Sequence, residues 1–211
     1  MSCDKSLMAL YAVTDRSWLS NETIEQQVEK ALKGGVTLIQ LREKHMSDDD
    51  FLVEAIRVKE ICKKYNVPLI INDNVEVAIK SDADGIHVGQ SDMDALNVRK
   101  RLGNDKIIGV SAGTVNEALI AEKSGADYLG VGAVFSTSTK LDANNVSLST
   151  LTEICDKINI PVVAIGGISK YNVKELSGTG IDGVAVVSAI FAEKDIESAT
   201  KELKKLIKGM L

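Results

Sequence analysis

The chain has 211 residues, of which 45% are hydrophobic and only 4% aromatic, so it can bury an aliphatic core in one large domain or two small ones. Its net charge of −5 and its lack of a basic block or stripe argue against a nucleic-acid or membrane surface. No uncharged run approaches the roughly 18 apolar residues of a membrane span, and we expect no signal peptide in the opening MSCDKSLMALYAV.

Apolar segments that suit buried strands alternate with segments of helical spacing along the chain. The strands are expected at residues 10–14, 37–41, 68–71, 84–88, 106–110, 127–131, 161–165 and 182–186. The helices are expected at about 21–33, 47–65, 75–80, 94–101, 114–123, 147–157, 171–177 and 195–208. Strands that are nearly all apolar, with helices between them, indicate a parallel sheet buried on both faces. This count predicts a single-domain α/β fold, a (β/α)8 TIM barrel over residues 1–211.

Local motifs mark where three of the helices begin. Asn21 is expected to cap the first helix, while Ser47 with Asp50 and Thr114 with Glu117 have the spacing of capping boxes. The three cysteines, at positions 3, 62 and 155, are far apart and show no metal spacing. We expect reduced thiols, which fits a reducing cytoplasm.

The carboxyl ends of the strands form the active-site face of such a barrel. Asp84, Asp127 and Asp182 stand instead at the N-terminal ends of strands, on the stability face, and are left out of the site. An open doubly wound sheet is the alternative fold. The first strand is not followed by G-x-G-x-x-G, which counts against the dinucleotide-binding form of that fold.

Cations gather at the ends of strands two and six. If the segment from residue 37 to 44 is extended, Gln40, Arg42 and Lys44 point to the mouth of the barrel, and Glu43 supports the loop from behind. Lys140 follows strand six. Arginine grips phosphate through two donors and lysine acts as a point charge. The alternative is that each is a solvated loop cation.

Two acidic residues, Asp73 and Asp92, end neighbouring strands. Mg²⁺ prefers one or two carboxylates together with waters and substrate phosphates, so the pair predicts a magnesium site. The alternatives are a turn residue for Asp73 and an acid in the first turn of a helix for Asp92.

The loops after strands seven and eight carry Gly166–Gly167 and Val187–Ser188, where this fold frequently binds a phosphate. The glycines alternatively serve a tight turn. A diphosphate site and a monophosphate site imply two phosphorylated substrates or one very long one. No general base is obvious, because His87 lies inside a strand and is expected to be a core residue.

At these residues the sequence resembles the thiamine-phosphate synthase family over nearly the whole chain. The segments that carry the resemblance are Gln40–Lys44, Asn72–Asp73, His87–Asp92, Gly109–Ser111, Phe135–Lys140, Ile165–Ile168 and Val187–Ser188. The resemblance implies a transferase that joins hydroxymethylpyrimidine diphosphate to a thiazole phosphate in a dissociative displacement that releases diphosphate. A homo-oligomer is compatible with the sequence.

The resemblance also implies roles for individual residues. Those implied for the pyrimidine diphosphate are Gln40, Leu41, Arg42, Glu43, Lys44, Asn72, Ser111 and Lys140, of which Arg42, Lys44, Ser111 and Lys140 are expected to be catalytic. Those implied for the thiazole phosphate are Thr137, Ser138, Thr139, Gly167, Val187 and Ser188, and those for Mg²⁺ are Asp73 and Asp92.

The sequence departs from the family pattern at two places. Gly113 stands where the family usually has a histidine, and Ser136 and Ser138 stand where it usually has prolines. Without those prolines the loop is expected to be more mobile. Two rival functions are a thiazole tautomerase, which would not need the diphosphate cations and both carboxylates, and a phosphate-ligand sensor that has lost turnover.

Overall fold

The computed structural model describes residues 4–19, 21–90, 92–137 and 145–211. Eight parallel strands pair in chain order, and the last pairs with the first, so the sheet closes. The strands are Leu10–Val13 (β1), Leu38–Leu41 (β2), Leu69–Asn72 (β3), Gly85–Val88 (β4), Ile107–Ala112 (β5), Tyr128–Val131 (β6), Val162–Ile165 (β7) and Gly183–Val186 (β8). The predicted TIM barrel is confirmed, and the open sheet is excluded.

Helices surround the barrel. They are Ile24–Gly34 (α1), Asp48–Lys64 (α2), Val75–Lys80 (α3), Ala95–Leu102 (α4), Val115–Lys123 (α5), Leu148–Lys157 (α6), Ser188–Phe191 (α7) and Ile196–Lys208 (α8). Short 3-10 turns lie at Lys5–Met8, Arg16–Trp18 and Val173–Leu176. Every helix in the described part of the chain is too short or too polar to span a membrane.

The structure corrects two sequence predictions. The predicted helix at 171–177 is only the 3-10 turn Val173–Leu176, which has no side-chain cap at Asn172 and ends where Ser177 becomes extended, with φ −61° and ψ 133°. The cap of α1 is Thr23, not Asn21. Gln26 completes a reciprocal capping box with Thr23, whereas the third residue after Asn21 is an isoleucine with no polar group to offer.

The barrel separates two layers of buried side chains. The larger layer lies between the strands and the helices. The smaller one fills the barrel and contains Met8, Tyr11, Val13, Leu38, Ile70, Tyr128, Val163 and Ala185. A side chain at Gly109 would place its Cβ 2.1 Å from Cζ of Tyr128, so the bare backbone of β5 makes room for that ring.

The three aspartates that we left out of the site lie at the N-terminal rim of the barrel and bind the starts of its strands. Asp84, Asp127 and Asp182 accept hydrogen bonds from backbone N–H groups at the starts of neighbouring strands, at 2.7, 2.8 and 2.9 Å. Each is also paired with a cation. Charge at this rim therefore serves the fold, and the opposite rim is left for chemistry.

Candidate active site

The loops after β1 and β2 are fastened to each other by successive residues. Thr14 Oγ1 accepts a hydrogen bond from the backbone N–H of Arg42 at 3.0 Å, and Asp15 pairs with the Arg42 guanidinium at 3.3 Å. The next residue, Arg16, donates from Nε to Glu43 Oε2 at 2.7 Å. The side chains of Arg42 and Asp15 are 23% and 13% exposed, so the pair fixes one cation at the carboxyl-end rim.

Strand β2 ends at Leu41, so strand alternation places only part of the predicted anion site. Gln40 points into the barrel, where its Nε2 donates to Tyr11 Oη at 2.6 Å. The Leu41 side chain is fully buried in the outer layer, so only its backbone is available to a ligand. Arg42 and Lys44 follow in the loop. The positions of their side chains are set by their ion-pair partners and not by the alternation of a strand.

Glu43 lies behind this loop. Its side chain is 2% exposed and binds Arg16, which also pairs with Glu54 of α2. The carboxylate of Glu43 therefore faces an arginine and a helix. The assignment of Glu43 to the diphosphate stays a prediction, and only the backbone of Glu43 is placed to bind that ligand.

Two carboxylates face each other at the ends of β3 and β4. Asp73 has a left-handed φ of 59°, which aspartate tolerates, and its N–H donates to the His87 carbonyl at 2.8 Å. Its Oδ2 pairs with Lys44 Nζ at 2.5 Å. Burial raises the pKa of Asp73; Lys44 opposes that rise, and the nearby Asp92 carboxylate adds to it. Asp92 is exposed and accepts from the Gly89 N–H at 2.7 Å.

This acidic pair suits a hard divalent cation. Asn72 donates from Nδ2 to Asp73 at 2.9 Å, and its Oδ1 is buried without a hydrogen-bond partner among the described residues. No group of three or more His, Cys, Asp or Glu side chains in the described ranges is placed to hold a metal. Two carboxylates without a full protein cage match what Mg²⁺ takes when phosphates complete its shell.

A chain of hydrogen bonds crosses the barrel interior and ends at Ser111. Gln40 is bonded to Tyr11, whose hydroxyl lies 2.8 Å from that of Tyr128. Tyr128 Oη lies 2.9 Å from His87 Nδ1, and His87 Nε2 lies 2.9 Å from Ser111 Oγ. His87 is buried as expected, but it also connects two of the predicted substrate-binding residues, Gln40 and Ser111.

Sequence reasoning missed most of these supporting residues. Tyr11 and Tyr128 sit inside apolar strands, and nothing in their own segments marks them as partners across the barrel. Asp15 and Arg16 follow β1 directly, at the carboxyl end where the other polar residues were sought, so their position was a usable signal. Glu54 lies within a helical pattern, and nothing in that pattern signals a role beside the site.

The loops after β6, β7 and β8 form the predicted monophosphate end. Gly167 has φ 63°, and a Cβ there would lie 2.3 Å from the Ser136 carbonyl oxygen, so the contact between two loops already requires glycine. Ser188 is exposed and is the first residue of α7, preceded by the half-buried Val187. Thr137 is described, whereas the predicted residues Ser138, Thr139 and Lys140 lie outside the described residues.

Comparison with known proteins decides the family. The family model for thiamine monophosphate synthase matches residues 10–190. A thiamine-phosphate synthase of Clostridium beijerinckii is 60% identical over 196 residues, which cover 93% of this chain and 94% of that protein. The chain belongs to the thiamine monophosphate synthase family.

Further relatives agree with this family. A thiamine-phosphate synthase of Clostridium botulinum is 55% identical over 197 residues, 93% of this chain and 92% of the relative. The solved thiamine phosphate pyrophosphorylase from Pyrococcus furiosus has a TM-score of 0.91 and 38% identity, with 98% of both chains covered. The predicted synthase function is confirmed, as is the transferase class, and its substrates are small phosphorylated molecules. These relatives are synthases, which favours that function over the tautomerase and the sensor.

The interior hydrogen-bond chain yields a stability prediction. Tyr128→Phe removes the hydroxyl that meets both Tyr11 and His87, so each loses one buried partner. We expect the free energy of unfolding to fall by about 1–3 kcal/mol, measured by urea denaturation. Tyr171→Phe is the control, because Tyr171 is 86% exposed. Equal unfolding midpoints for the two variants would contradict the prediction.

Proposed function

We propose that the chain joins hydroxymethylpyrimidine diphosphate to a thiazole phosphate in a Mg²⁺-dependent displacement. The observation that carries the proposal is the meeting of Lys44 and Asp73, at 2.5 Å, beside Asp92 at one rim of the barrel. These residues come from the ends of three consecutive strands. Cations and paired carboxylates at one rim suit a diphosphate that arrives with a divalent metal.

The diphosphate end would be formed by the loops after β2, β3 and β6. Arg42 is held by Asp15 and Lys44 by Asp73, so both cations are positioned before an anion arrives. Lys140 would add a third cation from the loop after β6. Such positioning lowers the cost of organising charge during the reaction.

Asp73, Asp92 and the Asn72 oxygen are the groups that would hold Mg²⁺. When bound, the ion neutralises charge on the departing diphosphate oxygens. Asn72 fixes one oxygen of Asp73 through its amide, and the backbone N–H of Gly89 fixes one oxygen of Asp92. These two hydrogen bonds therefore limit the rotation of both carboxylates.

The reaction needs separation of charge more than proton transfer. The bond between the pyrimidine methylene carbon and the diphosphate oxygen breaks, and its electron pair leaves with the oxygen. The thiazole nitrogen then gives its lone pair to the methylene carbon. Arg42, Lys44 and Lys140 stabilise the leaving group, while Gln40 and Ser111 orient the pyrimidine. This fits a site in which no general base was predicted.

The thiazole phosphate would lie at the loops after β6, β7 and β8. The first N–H groups of a helix have no partner within it, so the start of α7 at Ser188 offers donors to a phosphate. Thr137, Ser138 and Thr139 would close the site from β6, and Gly167 and Val187 would line it. The cytoplasmic location and the homo-oligomer expected from the sequence stay predictions.

A product assay tests the function directly. Purified protein with both substrates and Mg²⁺ should form thiamine phosphate, and removal of the metal by EDTA should abolish product. Restoring Mg²⁺ to the same sample should restore it. A folded protein that makes no thiamine phosphate would contradict the synthase function, and conversion of the thiazole substrate alone would support the tautomerase.

The two carboxylates can be tested separately. Asp73→Ala and Asp92→Ala should each lower Mg²⁺-dependent turnover by about 100-fold or more, because a partner of transition-state charge is lost. Asp49→Ala on the exposed start of α2 is the control and should keep wild-type turnover. Circular dichroism should show that all three fold. Near-normal turnover in both site variants would refute the metal assignment.

The monophosphate end is tested with added charge. Ser188→Glu should raise the KM for the thiazole phosphate about tenfold through like-charge repulsion, while an acid at a helix start leaves α7 stable. Ser177→Glu adds the same charge at an exposed position before β8 and should leave the KM unchanged. If the two variants have the same KM, the monophosphate lies elsewhere.

A further inference from the structure

Two buried carboxyl groups meet behind the loop that carries the diphosphate cations. Glu43 follows β2 and Glu54 lies on α2, and their side chains are 2% and 12% exposed. One arginine, Arg16, pairs with both. A single guanidinium therefore faces two carboxylates in a place with little water.

Each of the two carboxyl groups has a second oxygen that Arg16 does not bind. Arg16 binds Oε2 of Glu43 and Oε1 of Glu54. The opposite oxygens, Glu43 Oε1 and Glu54 Oε2, are buried without a hydrogen-bond partner in the described part of the chain. Arg16 binds the two carboxyl groups through Nε and Nη2 of one planar guanidinium, which brings the carboxyl groups close together. Two carboxylates cannot donate to each other, but a carboxylic acid can donate to a carboxylate.

We propose that Glu43 and Glu54 share one proton between these two oxygens, and that this proton holds the loop that carries Arg42 and Lys44. The proton satisfies both buried oxygens at once and leaves one net negative charge opposite Arg16. Glu43 and Glu54 are positioning residues: they lie behind the two cations and act on the diphosphate only through them. The second half of the proposal rests on the proposed function.

The surroundings of Glu54 agree with a retained proton. Burial, then the neighbouring Glu43, raises the pKa of Glu54 to about 7, against the opposing effect of Arg16. Several charged groups near Glu54 have partners of their own. Glu25 of α1 pairs with Arg57, Glu76 of α3 pairs with Arg101, and Asp48 at the start of α2 accepts from Asn74.

The sign of the pH effect follows from this pKa. The folded state keeps the proton to a higher pH than the unfolded chain, in which glutamate titrates near 4.5. The stabilisation is therefore complete below the unfolded pKa and is lost as the pH rises through about 7. Above that range Glu43 and Glu54 are two like charges that repel each other behind Arg42 and Lys44, and the loop that carries these two cations loosens.

The proton is tested without any ligand. In protein labelled with ¹³C at the glutamate carboxyl carbons, one NMR signal should titrate near neutral pH. Glu54→Gln, which keeps a donor but cannot ionise, should remove that titration, and Glu60→Gln at an exposed position of the same helix should keep it. The wild-type titration decides the matter even if Glu54→Gln fails to fold. Absence of any glutamate that titrates above about pH 6 would overturn the shared proton.

The effect on the loop is tested with inorganic diphosphate and Mg²⁺ by calorimetry at pH 6, 7 and 8. Affinity of the wild type should fall by up to about tenfold from pH 7 to 8 relative to Glu54→Gln, the limit for one required proton. The ligand's own titration is common to both proteins and cancels in the ratio. Identical pH profiles would overturn the link to the loop. Failure of both proteins to bind diphosphate at every pH, with the NMR titration present, would count against the proposed function and not against the shared proton.

Discussion

Closure of the parallel barrel is the constraint on which the rest of the structure depends. Each of the eight described strands has a hydrogen-bonded neighbour on both sides, so none of these eight has an open edge. Closure also brings the carboxyl ends of all eight strands to one rim, which lets residues far apart in sequence meet. Lys44 and Asp73 are 29 positions apart and Arg42 and Asp15 are 27 apart, yet each pair forms an ion pair there.

The inside of a barrel this small leaves little room for polar groups, and the way it accommodates them links fold to site. Tyr128 fits because Gly109 on the next strand has no side chain, and its hydroxyl then bridges Tyr11 and His87. Buried polar groups must be paired, so such a chain either satisfies all its members or destabilises the core. The residues that fill the barrel therefore also fix the orientation of Gln40 and Ser111 at its mouth.

The sequence was a good guide to elements and a partial guide to side chains. Apolar strands and helix caps such as Ser47 are local features, so the alternation of eight units could be predicted from them. The ion pairs of Arg16 with Glu43 and Glu54 could not, because their members come from three elements that meet only when β1 pairs with β2 and α2 packs beside them. Gln40 and Arg42 show how far strand alternation predicts the direction of a side chain. The inward direction of Gln40 follows from that alternation. Arg42, two residues later, lies beyond the strand, and its ion-pair partner sets its direction.

The pairing of Arg42 with Asp15 bears on how an anion can be bound without being trapped. A guanidinium has five N–H donors in a planar fork, and Asp15 accepts from one of its nitrogens, Nη1, at 3.3 Å. Arg42 can therefore keep Asp15 while another face of the fork meets a diphosphate. Asp15 limits the rotamers of Arg42 and lowers the entropy lost on binding. It also partly neutralises the cation, so a weakly charged anion would gain little there, while the diphosphate that we propose as ligand would benefit from Arg42 and Lys44 together.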